Sequence, residues 1–202
     1  MAAERSAVLL DWGGVMTTSL FDSFAAFCTT EGLDAGALRE LFRGDREARA
    51  LLIDFECGRI EEADFEPRLA TALGVADHVA LIDRLFAGAT VDPDMVAGVR
   101  RLHDDGVRTG LVSNSWGSRR YPHELIAELF DGVVISGDEG FRKPDPRMYE
   151  LGAARIGAAP SECVFVDDLE LNLGAARELG MATVHHVAAA QTLAELDRLL
   201  GR

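Results

Sequence analysis

Five short apolar runs, most of them separated by a helix-length segment, limit this chain to an α/β fold. They cover 6–10, 107–112, 133–135, 163–166 and 182–186. Short runs without polar alternation read as strands buried on both faces, and strands joined through helices imply a parallel sheet. Helices are predicted from about Pro93 to Asp104, near His123 to Phe130, and from about Arg147 to Ile156, Asn172 to Leu179 and Leu193 to Leu200, with 137–146 as a loop. The first connection breaks this rhythm. Across 17–89 apolar residues recur at helical spacing, as in Leu20, Phe24, Phe27 and Cys28, or Val79, Ile82, Leu85 and Phe86. Gly32, Gly44, Gly58 and Gly74 punctuate that stretch. The expected architecture is a doubly wound, Rossmann-like parallel sheet core built from 1–16 and 90–202. An all-helical module of four or five helices, 17–89, is inserted after the first strand.

Charge narrows the partners. A net charge of −14 over 202 residues repels polyanions at long range, so nucleic acid and anionic membrane surfaces are not expected partners. An anionic small molecule then needs a local cation. Cys28, Cys57 and Cys163 are widely spaced, with no Cys-x-x-Cys, and read as reduced, partly buried small hydrophobes. No apolar run approaches the roughly 18 residues of a membrane span, and a cytoplasmic location is expected. The oligomeric state is left open.

In an open parallel sheet, ligands sit beyond the carboxyl ends of the strands. There the first strand carries Asp11, the second Ser113 and Asn114, and the fourth Asp167 and Asp168, while Lys143 and Pro144 lie in the loop after the third. Three carboxylates at one edge repel each other, and a divalent cation relieves that repulsion. An all-oxygen donor set without neighbouring cysteine or histidine favours Mg²⁺. The lysine and the hydroxyl and amide donors suit phosphate oxygens. An aspartate beside Mg²⁺ and lysine can attack phosphorus, with the metal and Lys143 holding the developing charge.

These residues carry a resemblance to the haloacid dehalogenase superfamily along the whole chain. Its four motifs occur in order: Val8 to Val15 with Asp11-Trp12-Gly13-Gly14 at its centre; Leu111-Val112-Ser113-Asn114; Arg142-Lys143-Pro144-Asp145-Pro146 followed by Tyr149; and Val164-Phe165-Val166-Asp167-Asp168 followed by Asn172 and Ala175 to Gly180. Within the superfamily the chain is most similar to the branch of glucose-1-phosphatase-like enzymes and the phosphatase domain of soluble epoxide hydrolase. The resemblance implies a Mg²⁺-dependent hydrolase of a small phosphate monoester, a sugar phosphate among the candidates, working through an aspartyl-phosphate. Asp11 would be nucleophile and metal ligand. Gly13 would offer its backbone carbonyl to the metal, and Asp168 would be the main motif-four ligand, with Asp167 beside it as ligand or support. Ser113, Asn114 and Lys143 would bind the phosphoryl group, Asn172 would stand behind the carboxylates, and the helical insert would be a cap that selects the leaving group.

One position departs from the pattern. Superfamily phosphatases carry a second aspartate two residues after the nucleophile, which protonates the leaving alcohol; here Gly13 stands there. Such help is worth about 10²–10⁴-fold, roughly 3–5 kcal/mol. Either the leaving group needs little help, or another group supplies it, or the protein turns over weakly and serves as a binding protein. A 2-haloacid dehalogenase also lacks that aspartate but needs no metal, and the pair Asp167-Asp168 argues for a metal. Taken singly, each motif reads as an ordinary turn; their order along one chain is what points to a site. Trp116 reads as packing or pocket wall, Arg119 and Arg120 as solvated, and Phe24, Phe27 and Phe55 as helix core.

Overall fold

The computed structural model describes residues 5–202. Its five strands, β1 (Ala7–Leu10), β2 (Arg108–Ser113), β3 (Gly132–Ile135), β4 (Cys163–Asp167) and β5 (Ala182–His185), form one parallel sheet in the order β3-β2-β1-β4-β5. The first strand therefore lies at the centre. Leu10 is level with Leu111 on one side and Val166 on the other, which sets Asp11 between the ends of β2 and β4.

All four β1 residues are fully buried. Val8 and Leu10 face one apolar cluster, with Val99, Leu102, Ile126 and Leu196; Ala7 and Leu9 face the other, with Met148, Tyr149 and Leu173. Each large aliphatic buried this way contributes about 1.5–3 kcal/mol. This two-sided burial is why the strands show no polar alternation.

The insert in the first connection holds five helices: α1 (Leu20–Thr30), α2 (Ala37–Gly44), α3 (Arg46–Glu56), α4 (Glu62–Leu73) and α5 (Leu81–Phe86). They pack around Phe27, Leu51, Phe55, Phe65, Leu69, Ile82 and Leu85, with the Phe55 and Phe65 rings stacked at 4.1 Å. Ser19 and Asp45 cap α1 and α3 through their side chains, satisfying backbone donors that helix starts leave open. The chain enters and leaves this insert along paired segments. Thr17 bridges Val91 antiparallel, and the Asp92 N–H donates to the Met16 carbonyl at 2.9 Å.

Six helices complete the core: α6 (Pro93–Asp104), α7 (His123–Leu129), α8 (Ser136–Glu139), α9 (Pro146–Arg155), α10 (Glu170–Glu178) and α11 (Ala189–Leu199). Asp92-Pro93 and Asp145-Pro146 open α6 and α9 with a side-chain cap and a proline in the first turn. Two departures from the sequence expectation have clear causes. The short α8 occupies part of the 137–146 loop, because the Ser136 side chain is buried and bound to both Ser115 and Glu56. The last helix starts at Ala189, before Leu193, because its first turn is anchored by small and polar residues, Ala189 and Thr192, that apolar spacing does not reveal. Among the described residues, no helix is long and apolar enough to cross a membrane.

Candidate active site

The polar strand ends converge. Asp11, immediately after β1, is 8% exposed, and its carboxylate is gripped from two sides. The Trp12 N–H donates to Oδ1 at 2.7 Å, and the Lys143 ammonium sits 2.9 Å from Oδ2. Lys143 is itself fully buried and also donates to Asp167 Oδ2 at 2.7 Å. Burial would lower its pKa, but Asp11 and Asp167 outweigh that and raise it, so it stays an ammonium. The Phe165 ring lies 5.4 Å beneath it.

The two adjacent aspartates where β4 ends, Asp167 in the strand and Asp168 just after it, differ in what they touch. Asp167 has no exposed surface and accepts from Lys143, from the Asn172 amide at 3.0 and 3.1 Å, and from the Leu169 N–H at 2.9 Å. All its strong acceptor directions are used within the protein. Asn172 is held in turn, its carbonyl accepting from the Tyr149 hydroxyl at 2.9 Å. Asp168 is less buried and stands over Gly14: a Cβ at Gly14 would lie 2.5 Å from Asp168 Oδ2. Gly14 also has φ +74°, so glycine serves both the turn and the approach.

Asp11, Asp167 and Asp168 each offer an oxygen within 4.8 Å of the others. Burial raises Asp11 to about 7, opposed by Lys143 and reinforced by Asp167 and Asp168; burial and then Asp167 raise Asp168 to about 6. Carboxylates under this strain, with no nitrogen or sulfur donor in the cluster, fit a hard divalent cation such as Mg²⁺.

Ser113 and Asn114 end β2 on the other side of Asp11. The Tyr121 hydroxyl donates to Ser113 Oγ at 2.9 Å, which leaves the serine proton free for a ligand. The Asn114 side chain is committed to the lysine loop: it accepts from the Lys143 N–H at 2.8 Å and donates to the Lys143 carbonyl at 3.2 Å. It fixes the position of the lysine. Gly13 lies against α1, where a Cβ would be 2.5 Å from Leu20 Cδ1.

Above these residues a cavity of about 510 Å³ opens between the core and the inserted helices. Its walls include Phe21, Phe24, Leu38, Phe42, Leu52 and Trp116, and its floor Asp11, Gly13 and Asp168. Three charged groups of the lining escape the sequence reading, Asp22, Arg39 and Glu56 at the end of α3; Arg142, quoted there only as part of the third motif, has its side chain 2.7 Å from that of Glu56. One sequence cue was available, since a glutamate in the last turn of a helix opposes the helix dipole. Tyr121 and Leu20 left no cue, because their roles depend on packing across the fold.

Arg119 and Arg120, expected to be solvated, instead pair with Glu62 of α4 and Asp83 of α5, all at 2.6–2.8 Å. They tie the loop after β2 to the insert. Trp116 packs against Phe24, Phe65 and Phe86, so it is both packing and cavity wall. The three cysteines are free and buried.

Residues 6–180 match the model of the haloacid dehalogenase-like hydrolase family. The chain is 33% identical over 153 residues to sesquiterpene phosphatase astK of Aspergillus oryzae, covering 73% of this chain and 78% of that protein. It is 28% identical over 128 residues to bifunctional epoxide hydrolase 2 of Rattus norvegicus, covering 60% of this chain but only 23% of that protein's length. In fold it resembles a HAD family enzyme of Bacteroides thetaiotaomicron, solved as a magnesium complex, with a TM-score of 0.72 at 20% identity over 97% of this chain and 100% of that one.

Proposed function

The chain belongs to the haloacid dehalogenase-like hydrolase family, and from that premise we propose that it is a Mg²⁺-dependent phosphatase acting on a small phosphate monoester through Asp11. The observation that carries this reading is the buried Lys143 ammonium, 2.9 Å from Asp11 and 2.7 Å from Asp167, beside three carboxylates that share one edge. A phosphatase relative that spans most of the chain supports the same chemistry.

Asp11 attacks phosphorus. Its new O–P bond forms as the bond from phosphorus to the alcohol oxygen breaks, and the alcohol leaves with a proton. Water then attacks the phosphorus of the aspartyl-phosphate, releasing inorganic phosphate and restoring Asp11. Lys143 and the Ser113 hydroxyl bind phosphoryl oxygens, and Asn114 and Asp167 keep Lys143 in place. Asp11, Asp168 and the Gly13 carbonyl would hold Mg²⁺, with Asp167 and Asn172 behind them. The ion, when bound, neutralises carboxylate and phosphoryl charge. The inserted helices act as a cap, and the apolar cavity walls suit an alcohol with an apolar face.

The experiment is hydrolysis of a panel of phosphate monoesters and a 2-haloacid by wild type and Asp11→Asn, with Mg²⁺ and with EDTA. Expected is phosphate release that needs both Mg²⁺ and Asp11. Undiminished turnover in EDTA, or in Asp11→Asn, would overturn the reading.

A further inference from the structure

We propose that Glu56, at the end of α3 in the cap, is the general acid that protonates the leaving alcohol, the task for which Gly13 has no side chain. This rests on the phosphatase reading.

The first support is the state of position 13. Leu20 Cδ1 lies 2.5 Å, and Leu20 Cγ 3.3 Å, from where a Cβ of residue 13 would stand. The first residue of α1, in the insert, thus puts an aliphatic group where a proton donor beside the nucleophile would be rooted. A donor must come from elsewhere around the leaving group.

The second support is the shape of the cavity. An alcohol esterified to a phosphoryl group at Asp11 extends into the 510 Å³ space under the cap, and two cap carboxyls line it, Asp22 and Glu56. Asp22 is exposed in the first turn of α1, where the helix dipole favours the charged carboxylate. Glu56 is 4% exposed and is the last residue of α3, where the dipole favours the neutral acid. Of the two, Glu56 is built to carry a proton.

The third support is how Glu56 is held. Oε1 accepts from the Trp116 indole N–H at 3.2 Å. Oε2 lies 2.7 Å from Arg142 Nε, yet neither atom has an aligned hydrogen bond. The Glu56 backbone carbonyl accepts from Ser136 Oγ in the core, and Gly58 presses so closely on the Gly137 carbonyl that a Cβ would be 2.2 Å from it. The end of α3 is thereby fixed on the core, with Glu56 Oε2 enclosed beside Arg142 and without an aligned donor. Burial raises Glu56 to about 7 against the pull of Arg142, Trp116 and Lys143, which suits an acid working near neutrality. The charged and titratable groups around it are those two cations and Tyr121, with Arg39 of α2 and the carboxylates Asp11, Asp22 and Asp168 lining the same cavity.

In the step itself, the Glu56 O–H bond breaks and its proton goes to the ester oxygen. That oxygen keeps the electron pair of its breaking bond to phosphorus, and the resulting glutamate faces Arg142.

The test uses leaving groups. A 4-nitrophenolate departs as an anion without help, whereas the alkoxide of 2-phenylethanol needs a proton. Since kcat/KM covers only steps up to departure of the alcohol, its alkyl-to-aryl ratio isolates the acid. Glu56→Gln is expected to lower that ratio by about 10²-fold or more, while Glu56→Asp recovers part of it. In wild type the ratio, after each ester's profile is corrected for the second ionisation of its own phosphate (lower for the aryl ester), is expected to fall as pH rises through about 7; titration of Asp11 is common to both esters and cancels. Equal losses on both esters in Glu56→Gln would overturn the proposal. If that variant does not fold, a wild-type ratio that is flat with pH overturns it. A wild type that hydrolyses neither ester would instead remove the phosphatase reading beneath it.

Discussion

Replacing Asp11 by asparagine should abolish turnover and, in the absence of metal, make the protein more stable. Folding buries Asp11 near Asp167 and Asp168, and its pKa rises from 3.8 to about 7 even with Lys143 alongside. Between those values the folded chain binds more protons than the unfolded chain, so stability falls as pH rises from about 4 to about 7. At about 1.4 kcal/mol per pH unit, the ionised carboxylate costs up to ~4 kcal/mol above pH 7. Asparagine mimics the protonated carboxyl and retains one acceptor for the Trp12 N–H or Lys143. The expected gain at pH 8 is about 2–4 kcal/mol, or roughly 5–15 °C in Tm for a chain of this size, shrinking to nothing near pH 4. Added Mg²⁺ should reverse the ranking, because a ligand at 100 times its Kd stabilises the folded state by about 2.7 kcal/mol and the variant has lost a ligand. Urea unfolding of both proteins at pH 4 and pH 8, in EDTA and in Mg²⁺, measures all four terms. An Asp11→Asn variant no more stable than wild type at pH 8 in EDTA would refute the claim that this cluster is strained without a cation.

Two further outcomes are expected. Glu62→Gln should destabilise the protein by about 1–2 kcal/mol at pH 7, because hydrogen bonds from Arg120 and then Arg119 hold Glu62 at about 2, below its ordinary 4.5. That contribution is complete above about pH 5 and lost as pH falls toward 2, so wild type and variant should converge in acid unfolding; a constant difference would refute it. Gly13→Asp should lower Tm by the equivalent of about 1–3 kcal/mol through contact with Leu20, and together with Leu20→Ala it should restore alkyl-ester turnover to Glu56→Gln; an unchanged Tm in the single variant would show that Leu20 does not constrain the site.

Much of the core was legible because its physics is local. β1 and β4 are buried on both faces and so are apolar up to the sheet edge, where the first polar residues, Asp11 just after β1 and Asp167 at the end of β4, announce themselves. Asp92-Pro93 and Asp145-Pro146 mark helix starts by the same local chemistry. Asn114 shows the limit. Its place at the end of β2 was readable, yet its amide is spent on the Lys143 backbone, 29 residues away in the chain. Arg119 and Arg120 look solvated in a window of neighbours and become partners of Glu62 and Asp83 only when the insert folds back over the core. Glu56 is the extreme case, since nothing near it in sequence records that its helix end meets Ser136, 80 residues later.

The same distinction bears on how the enzyme is controlled. In the proposed mechanism the phosphoryl group would be bound by Asp11, Lys143 and Ser113, which come from the sheet edge and its loops and not from the inserted helices. Glu56 comes from the cap and meets the core through Trp116, Arg142, Ser136 and the Gly58–Gly137 contact. An acid carried there is in place only when those contacts form. Proton delivery is then tied to closure, and water that reaches an open site meets a nucleophile with no donor for the alcohol. A proton donor at position 13 would act with the cap open or shut; moving it to α3 makes enclosure of the leaving group a condition of its departure.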